Sequence, residues 1–216
     1  MKTTYFILSV ILSLGLVSCN DAVAATDLES SYGASEENNN ALESIVFSSD
    51  TALLPQSEKD GLVLMREEEK LAGDVYAYFY EKYALRPFTN INKSEVRHSD
   101  AVLSLLNYFG LEDPKINEAG KFKNPDIQAL YNKLTAAGST AELALATSAF
   151  IEEYDIADLR KLIATSQNDD IKAVYANLLN GSYNHIKAFT RVLSGRGITY
   201  SPKILSAQEL NEILAK

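Results

Sequence analysis

One pattern occurs twice in the chain, in SEVRH at residues 94–98 and in SYNH at residues 182–185. In each stretch a histidine follows a polar residue by three positions, and 87 positions separate the two patterns. In an α-helix this spacing places both side chains on one face, one turn apart. Because His98 and His185 are the only histidines of the chain, the repeat predicts two corresponding helices that present polar groups to a shared site.

The sequence on both sides of these stretches predicts helices and gives only weak signals for strands. Apolar residues recur at three- and four-residue spacing, which is the period of an amphipathic helix. The predicted long helices cover about residues 57–84, 90–109, 139–165 and 170–193, and the predicted short helices cover about residues 125–137 and 206 onward. Four long helices with apolar faces favour an all-α, antiparallel four-helix bundle with short extra helices.

Local signals set the boundaries of these predicted helices. Capping boxes are predicted at residues 57–60, 139–142 and 206–209. Gly110 suits the position just after the second helix, because glycine readily adopts the left-handed conformation found there. Pro87 is expected to stop the first helix, since proline cannot continue a helix from its interior.

Polar groups interrupt the apolar stripe in the middle of each predicted long helix. They are Glu68 in the first helix, Glu95 and His98 in the second, Glu152 in the third, and Ser182 and His185 in the fourth. Several carboxylates in one core are untenable without compensating positive charge, because each unpaired buried ion costs several kcal/mol. A metal centre resolves this problem. Its predicted ligands are Glu68, Glu95, His98, Glu152 and His185.

The number of ions in this predicted centre is open. The three predicted glutamate ligands carry three negative charges, whereas two divalent ions carry four positive charges. Asp155 could supply a fourth carboxylate, or it could accept a hydrogen bond from a histidine. Glu69 or Glu153 could also turn inward. The alternatives are one ion, or an asymmetric pair in which water fills the position beside Ser182.

The motifs that carry these residues resemble those of a known group of proteins. They are MREEEKLA at residues 65–72, SEVRH at 94–98, GLEDP at 110–114, IADL at 156–159 and NGSYNH at 180–185. Over about residues 58–194 the chain is similar to the ferritin-like superfamily, and to the bacterial and archaeal group catalogued as domain of unknown function 2202. The resemblance implies a ferritin-like bundle with a metal site, and it implies no particular activity. Ser182 departs from the ferritin-like di-iron pattern, in which a glutamate occupies this position.

The first residues of the chain have the pattern of a secretory signal. Lys2 precedes an apolar run of about thirteen residues, which is too short to span a bilayer. LVSC at residues 16–19 resembles the lipobox of bacterial lipoproteins, and Cys19 is the only cysteine. The prediction is a signal peptide at residues 1–18, a lipidated Cys19, a flexible tether over residues 19–52 and a helical domain over residues 53–216.

Composition narrows the classes of function. The chain has 216 residues and a formal net charge of −9, and it has no basic cluster, so a nucleic-acid partner is not expected. Its hydrophobic fraction of 46% is sufficient to close a core. The lipid on Cys19 would attach the protein to a membrane of the bacterial cell envelope, outside the cytoplasm. The tyrosines of the helices, Tyr76 among them, are expected mainly to pack.

Two functions are consistent with these residues. The first is a metalloprotein that binds one or two ions of iron or manganese, with zinc as an alternative, and reacts with O2 or H2O2 as a ferroxidase or peroxidase does. Its electron donor would be external, since no cysteines remain to build a rubredoxin-like centre. The second is a non-catalytic interaction or adaptor lipoprotein, whose buried acids and histidines form a polar core or a structural metal site. A bound metal with an open coordination position would distinguish the two.

Overall fold

The computed structural model of the chain describes residues 45–48 and 54–216, and the predicted signal peptide, Cys19 and most of the predicted tether lie outside these residues. The described residues contain six α-helices and no β-strand, which confirms the all-α prediction. The helices are α1 (Gln56–Tyr83), α2 (Arg86–Tyr108), α3 (Pro125–Ala137), α4 (Ala141–Thr165), α5 (Asp169–Gly195) and α6 (Ala207–Leu214). None of these six is long and apolar enough to cross a membrane.

Two helices begin differently from their predicted capping boxes. Pro55 is the N-terminal cap of α1 and no side chain caps this end, so the box predicted at residues 57–60 is wrong. In α4 the cap is Thr140, whose hydroxyl accepts a hydrogen bond of 3.2 Å from the Leu143 N–H. The box predicted at residues 139–142 is therefore wrong by one position, because the extended backbone that precedes a helix occurs at Thr140.

A short connection at residues 84–85 joins α1 to α2. Ala84 adopts the left-handed conformation, with a φ of 54°, and ends α1. Pro87 lies in the first turn of α2. Proline is tolerated there because the N–H groups of the first turn have no hydrogen-bond partner within the helix. For this reason α2 begins at Arg86, four residues earlier than the sequence predicts.

Two other helix boundaries confirm the predictions. Gly110 follows α2 with a φ of 64°, and the Leu111 N–H donates a hydrogen bond of 2.8 Å to the Leu106 carbonyl. Together these features satisfy the last free carbonyls of α2 in the manner of a glycine-terminated helix. At α6, Ser206 and Glu209 form both hydrogen bonds of a complete capping box.

The four long helices form two closely packed pairs. α1 packs along α2, and α4 packs along α5. In the first pair Arg66 contacts Ser99, whereas Gly73, further along α1, contacts Asn92, earlier in α2, so the two helices are antiparallel. The contacts between α4 and α5 have the same antiparallel order. The pairs contact each other through α1 with α4 and through α2 with α5.

The connection between α2 and α4 includes α3 and lies against α1. Arg66 pairs with Asp113 through Nε at 3.0 Å and through Nη2 at 2.9 Å. Glu67 accepts hydrogen bonds from the backbone N–H groups of Lys123 and Asn124 at 2.7 and 3.1 Å. Charged side chains of α1 therefore hold the connection against this helix, and α1 is buried on more than one face as a result.

The core has an aliphatic end, an aromatic end and a polar layer between them. Residues of the aliphatic end include Leu62, Met65, Leu105, Leu106, Leu159, Val174 and Leu178. The aromatic end contains Tyr76, Phe79, Phe88 and Phe189, and its neighbouring ring centroids are 5.2, 5.6 and 5.9 Å apart. The polar layer contains the titratable residues that interrupt the apolar stripes of the sequence.

Candidate metal centre

The polar layer receives side chains from all four long helices. α1 contributes Glu68 and Glu69, α2 contributes Glu95 and His98, α4 contributes Glu152 and Asp155, and α5 contributes Ser182 and His185. All of them are buried except Asp155, which is partly exposed. The structure brings together four of the five residues predicted as ligands, Glu95, His98, Glu152 and His185, with Glu69 beside them, whereas the Glu68 carboxylate has no hydrogen-bond partner within the described residues.

Glu95 lies between the two histidines. One carboxylate oxygen of Glu95 is 3.0 Å from Nδ1 of His98, and the other is 2.9 Å from Nδ1 of His185. The two imidazole rings stack, with their centroids 5.3 Å apart. One ligand atom from each of the three residues lies within 4.8 Å of the others. Glu95, His98 and His185 therefore form a buried group that could hold a metal ion.

Each histidine also faces a second glutamate, which comes from the helix paired with its own. Nδ1 of His98 is 3.4 Å from a carboxylate oxygen of Glu69, and Nδ1 of His185 is 3.4 Å from one of Glu152. The layer thus has two corresponding halves, one from α1 and α2 and the other from α4 and α5. Within the run of residues 67–69, Glu69 is the glutamate that contacts a histidine.

Ser182 and Asp155 break the correspondence between the two halves. α2 supplies a carboxylate one turn before its histidine, whereas α5 supplies the Ser182 hydroxyl at the same position. This hydroxyl donates a hydrogen bond to the Asp155 carboxylate of α4. The carboxylate that α5 lacks is therefore supplied beside it by the neighbouring helix.

Tyr76 contacts one of the candidate ligands directly. Its hydroxyl donates a hydrogen bond to Glu152, and its ring packs against Phe189. Burial, together with the charges of Glu152 and Glu95, raises the pKa of Tyr76 well above its usual value, so the phenol stays a donor. The sequence predicts the packing of Tyr76. It does not predict the hydrogen bond, because only the contact between α1 and α4 brings together two residues 76 positions apart.

The charges of the layer shift the pKa values of its central groups. Burial alone would lower the pKa of His98, but the carboxylates of Glu69 and Glu95 outweigh it and raise this pKa to about 10. Burial raises the pKa of Glu69 to about 8, although His98 opposes the shift. Burial also disfavours ionised Glu95, but His185 and His98 outweigh it and hold the pKa of Glu95 well below its usual value.

The layer contains more carboxylates than imidazoles, and burial favours the protonated forms of Glu69, Glu152 and Asp155. Burial raises the pKa values of Glu152 and Asp155, as it does for Glu69. Divalent cations would replace these protons, because carboxylates and neutral imidazoles are metal ligands. A set of oxygen and nitrogen donors without thiolate is suited to a divalent metal ion, so the residues present fit the metal site that the sequence predicts.

Glu153 points away from the polar layer although its side chain is completely buried. Its carboxylate accepts hydrogen bonds from the backbone N–H groups of Lys203, Ile204 and Leu205 at 2.8–3.1 Å, and from the Tyr200 hydroxyl. Glu153 thereby holds the segment before α6 against α4. Helical periodicity gives no signal for this role, since the partners are backbone groups of a distant loop.

Replacing Glu153 with glutamine is expected to lower the free energy of unfolding by about 2 to 3 kcal/mol, because hydrogen bonds to a charged acceptor are lost. The amide retains one oxygen acceptor and turns an NH2 group towards backbone donors. Urea unfolding measures the change, and hydrogen exchange at Ile204 and Leu205 should accelerate. Glu81→Gln makes the same substitution at an exposed position of α1 and serves as the control. Equal stability of the two variants would contradict the prediction.

Fold and site together define an all-α protein with a buried carboxylate and histidine group that could bind a metal ion. Residues 58–216 match the family model described as an uncharacterized protein domain, DUF2202, so the chain belongs to this family. The sequence-based assignment to this group is thereby confirmed.

A relative in this comparison is the uncharacterized protein MJ0754 of Methanocaldococcus jannaschii. It is 47% identical over 164 residues, which span 75% of this chain and 89% of the relative. The crystal structure of the hypothetical protein MJ0754 from Methanococcus jannaschii is similar to this fold, with a TM-score of 0.76 and 45% identity. That match covers 79% of this chain and 98% of the solved one.

Proposed function

We propose that this chain is a ferritin-like metalloprotein of the cell envelope, in which the polar layer binds two ions of iron or manganese. The observation that carries the proposal is the position of Glu95, which lies 2.9 and 3.0 Å from the two imidazoles. Glu95 would hold metal together with imidazoles from two helices, as expected where facing helices of a bundle supply carboxylate and histidine ligands.

The order of the helices supports the ferritin-like part of the proposal. Tyr76 of α1 contacts Glu152 of α4, whereas Gly61, earlier in α1, lies against Leu162, later in α4, so α1 and α4 are antiparallel. Because α1 is antiparallel to both α2 and α4, α2 and α4 run in the same direction. The chain must then cross the length of the bundle between them, and α3 lies on this crossover. One long crossover between two antiparallel pairs is characteristic of ferritin-like bundles.

The charges of the layer support a centre of two ions. Together the nearest ligands are Glu69, Glu95, His98, Glu152, Asp155 and His185. The four carboxylates carry four negative charges, which balance the four positive charges of two divalent cations. Asp155 thus supplies the carboxylate that is missing at Ser182. Glu68, also predicted as a ligand, contacts none of these groups through a hydrogen bond within the described residues. Iron and manganese suit such oxygen and nitrogen donors, and zinc is the alternative.

The protein's own residues would position and protect the bound ions. When bound, a reduced pair would supply electrons to O2 or H2O2, as in a ferroxidase or peroxidase. Tyr76 holds Glu152 in place through its hydrogen bond. Burial favours the protonated forms of Glu69 and Glu152 before metal binds, so both would release protons as they become ligands. Phe88 and Phe189 exclude water at the aromatic end of the layer.

The test is anaerobic loading of the purified protein with Fe(II), followed by exposure to oxygen. The protein should retain about two equivalents of iron after desalting. It should consume oxygen and develop a near-ultraviolet absorption band. The zinc-loaded protein is the control, because zinc has no redox chemistry and should give no band. Failure to retain iron, manganese or zinc would overturn the proposal and favour the interaction protein.

The lipid anchor is the second part of the proposal, and it depends on the LVSC motif at residues 16–19. Cys19→Ser is expected to release the protein from the membrane fraction, because the substitution removes the only site for the lipid. Fractionation of bacterial cells that express the two forms measures the change. Ser18→Ala keeps a small residue before the cysteine and should remain with the membrane. Equal distribution of wild type and Cys19→Ser would contradict lipidation.

A further inference from the structure

We propose that Glu68 and Asp158 form a separate site for a divalent cation, between the protein surface and the central ligands. The binding site is independent of the central ligands. Its role as the entry for ions that reach the centre depends on the proposed function. The site consists of carboxylates, whereas the central group also contains both imidazoles.

Glu68 is the observation that points to a ligand. Its side chain is only 4% exposed, and neither carboxylate oxygen has a hydrogen-bond partner within the described residues. Both neighbouring glutamates have partners, since Glu67 binds two backbone N–H groups and Glu69 faces His98. A buried carboxylate without partners requires a proton or a cation. Glu68 is therefore the glutamate of this run whose carboxylate is left to bind a cation.

The carboxylates around Glu68 connect the surface with the centre. The contacts of Gly61 with Leu162 and of Tyr76 with Glu152 place Glu68 of α1 opposite the stretch of α4 that carries Asp155 and Asp158. They are one helical turn apart and partly exposed. Partly exposed Asp158 and buried Glu68 thus lie between the surface and Asp155.

The surroundings of Asp158 and Asp155 differ, and the difference favours movement of a cation from the surface towards the central ligands. At the outer end Asp158 is near the exposed Lys161, which partly offsets its charge. At the inner end Asp155 accepts the hydrogen bond of Ser182, inside the polar layer. Carboxylate oxygens alone bind a transition-metal ion such as Fe(II) more weakly than a set that includes imidazole. A cation held by Glu68 and Asp158 would consequently move inward, where His98 and His185 add nitrogen ligands.

Titration with Mn(II), followed by electron paramagnetic resonance of the free ion, tests the site. Glu68→Gln is expected to lose one equivalent of the weaker class of bound Mn(II), and Asp158→Asn should weaken the same class. Loading of the centre, followed by stopped flow, should slow about tenfold in both variants. Glu81→Gln removes an equal charge from an exposed position of the same helix and should behave as the wild type does. Circular dichroism establishes that each variant is folded.

His185→Ala separates this inference from the proposed function. In that variant the central ions should be lost, while the equivalent that depends on Glu68 remains. If wild type and Glu68→Gln bind the same number of ions at the same rate, the outer site is wrong and the central proposal is unaffected. If His185→Ala binds as much Mn(II) as the wild type, the central proposal is wrong, and the entry role falls with it. In that case a Glu68-dependent equivalent would still support the outer site.

Discussion

Glu95→Ala is expected to lower the affinity of the protein for iron or manganese at least about 100-fold. Substitution of a residue that only supports a metal ligand lowers metal affinity up to about 100-fold, and loss of the ligand itself should cost at least as much. Among the described residues, Glu95 is the carboxylate that contacts both His98 and His185. Its loss removes a ligand from both halves of the site at once. Anaerobic titration gives the affinity, and mass spectrometry gives the metal retained after desalting.

Two further variants make this result specific to the ligand. Glu95→Gln keeps the shape of the side chain and removes its charge, so it should lose most of the metal while preserving the fold. Glu81→Ala truncates an exposed glutamate of α1 and should retain the metal that the wild type binds. Full retention of metal by Glu95→Ala, with the fold intact, would show that the ions are held elsewhere. Loss of metal by all three variants would indicate that binding follows overall charge.

The sequence predicts the helices and the central contacts because both are encoded in short spacings. The three-residue step from Glu95 to His98 places both groups on one turn, and the structure has them in contact at 3.0 Å. The matching stretch at residues 182–185 predicts a second histidine on a corresponding helix. His185 indeed contacts Glu95 across α2 and α5. A repeated pattern can therefore indicate a contact between distant parts of a chain.

The same spacings cannot decide which glutamate of residues 67–69 faces the centre. Helical periodicity assumes one buried face, whereas all three of these glutamates are buried. Loops cover the remaining faces of the helix, and Glu67 binds the backbone N–H groups of residues 123–124. Glu153 has the same kind of role beside the segment before α6. The path of a loop over a helix depends on tertiary packing, and no local pattern in the sequence records it.

Removal of metal is expected to reverse the dependence of stability on pH. In the metal-free protein Glu69 and Glu95 raise the pKa of His98 from 6.5 to about 10 against the effect of burial. The folded state then binds this proton more tightly than the unfolded state does. The stabilisation is complete below pH 6.5 and is lost as the pH rises through about 10. Glu69 acts in the same direction, because burial raises its pKa from 4.5 to about 8 and its ionisation therefore destabilises the fold.

The melting temperature of the metal-free protein should consequently decrease as the pH rises from about 6 to about 9. Each kcal/mol of unfolding free energy that is lost should lower it by about 2 to 4 °C. The loaded protein should show the opposite trend, because bound metal requires deprotonated ligands and its affinity rises with pH. Thermal unfolding in EDTA and in excess Mn(II) measures both slopes. His98→Gln removes the titrating imidazole and should flatten the slope in EDTA. A metal-free protein whose melting temperature rises over this range would contradict the assigned charges, since the Glu69 and His98 pairing predicts a decrease.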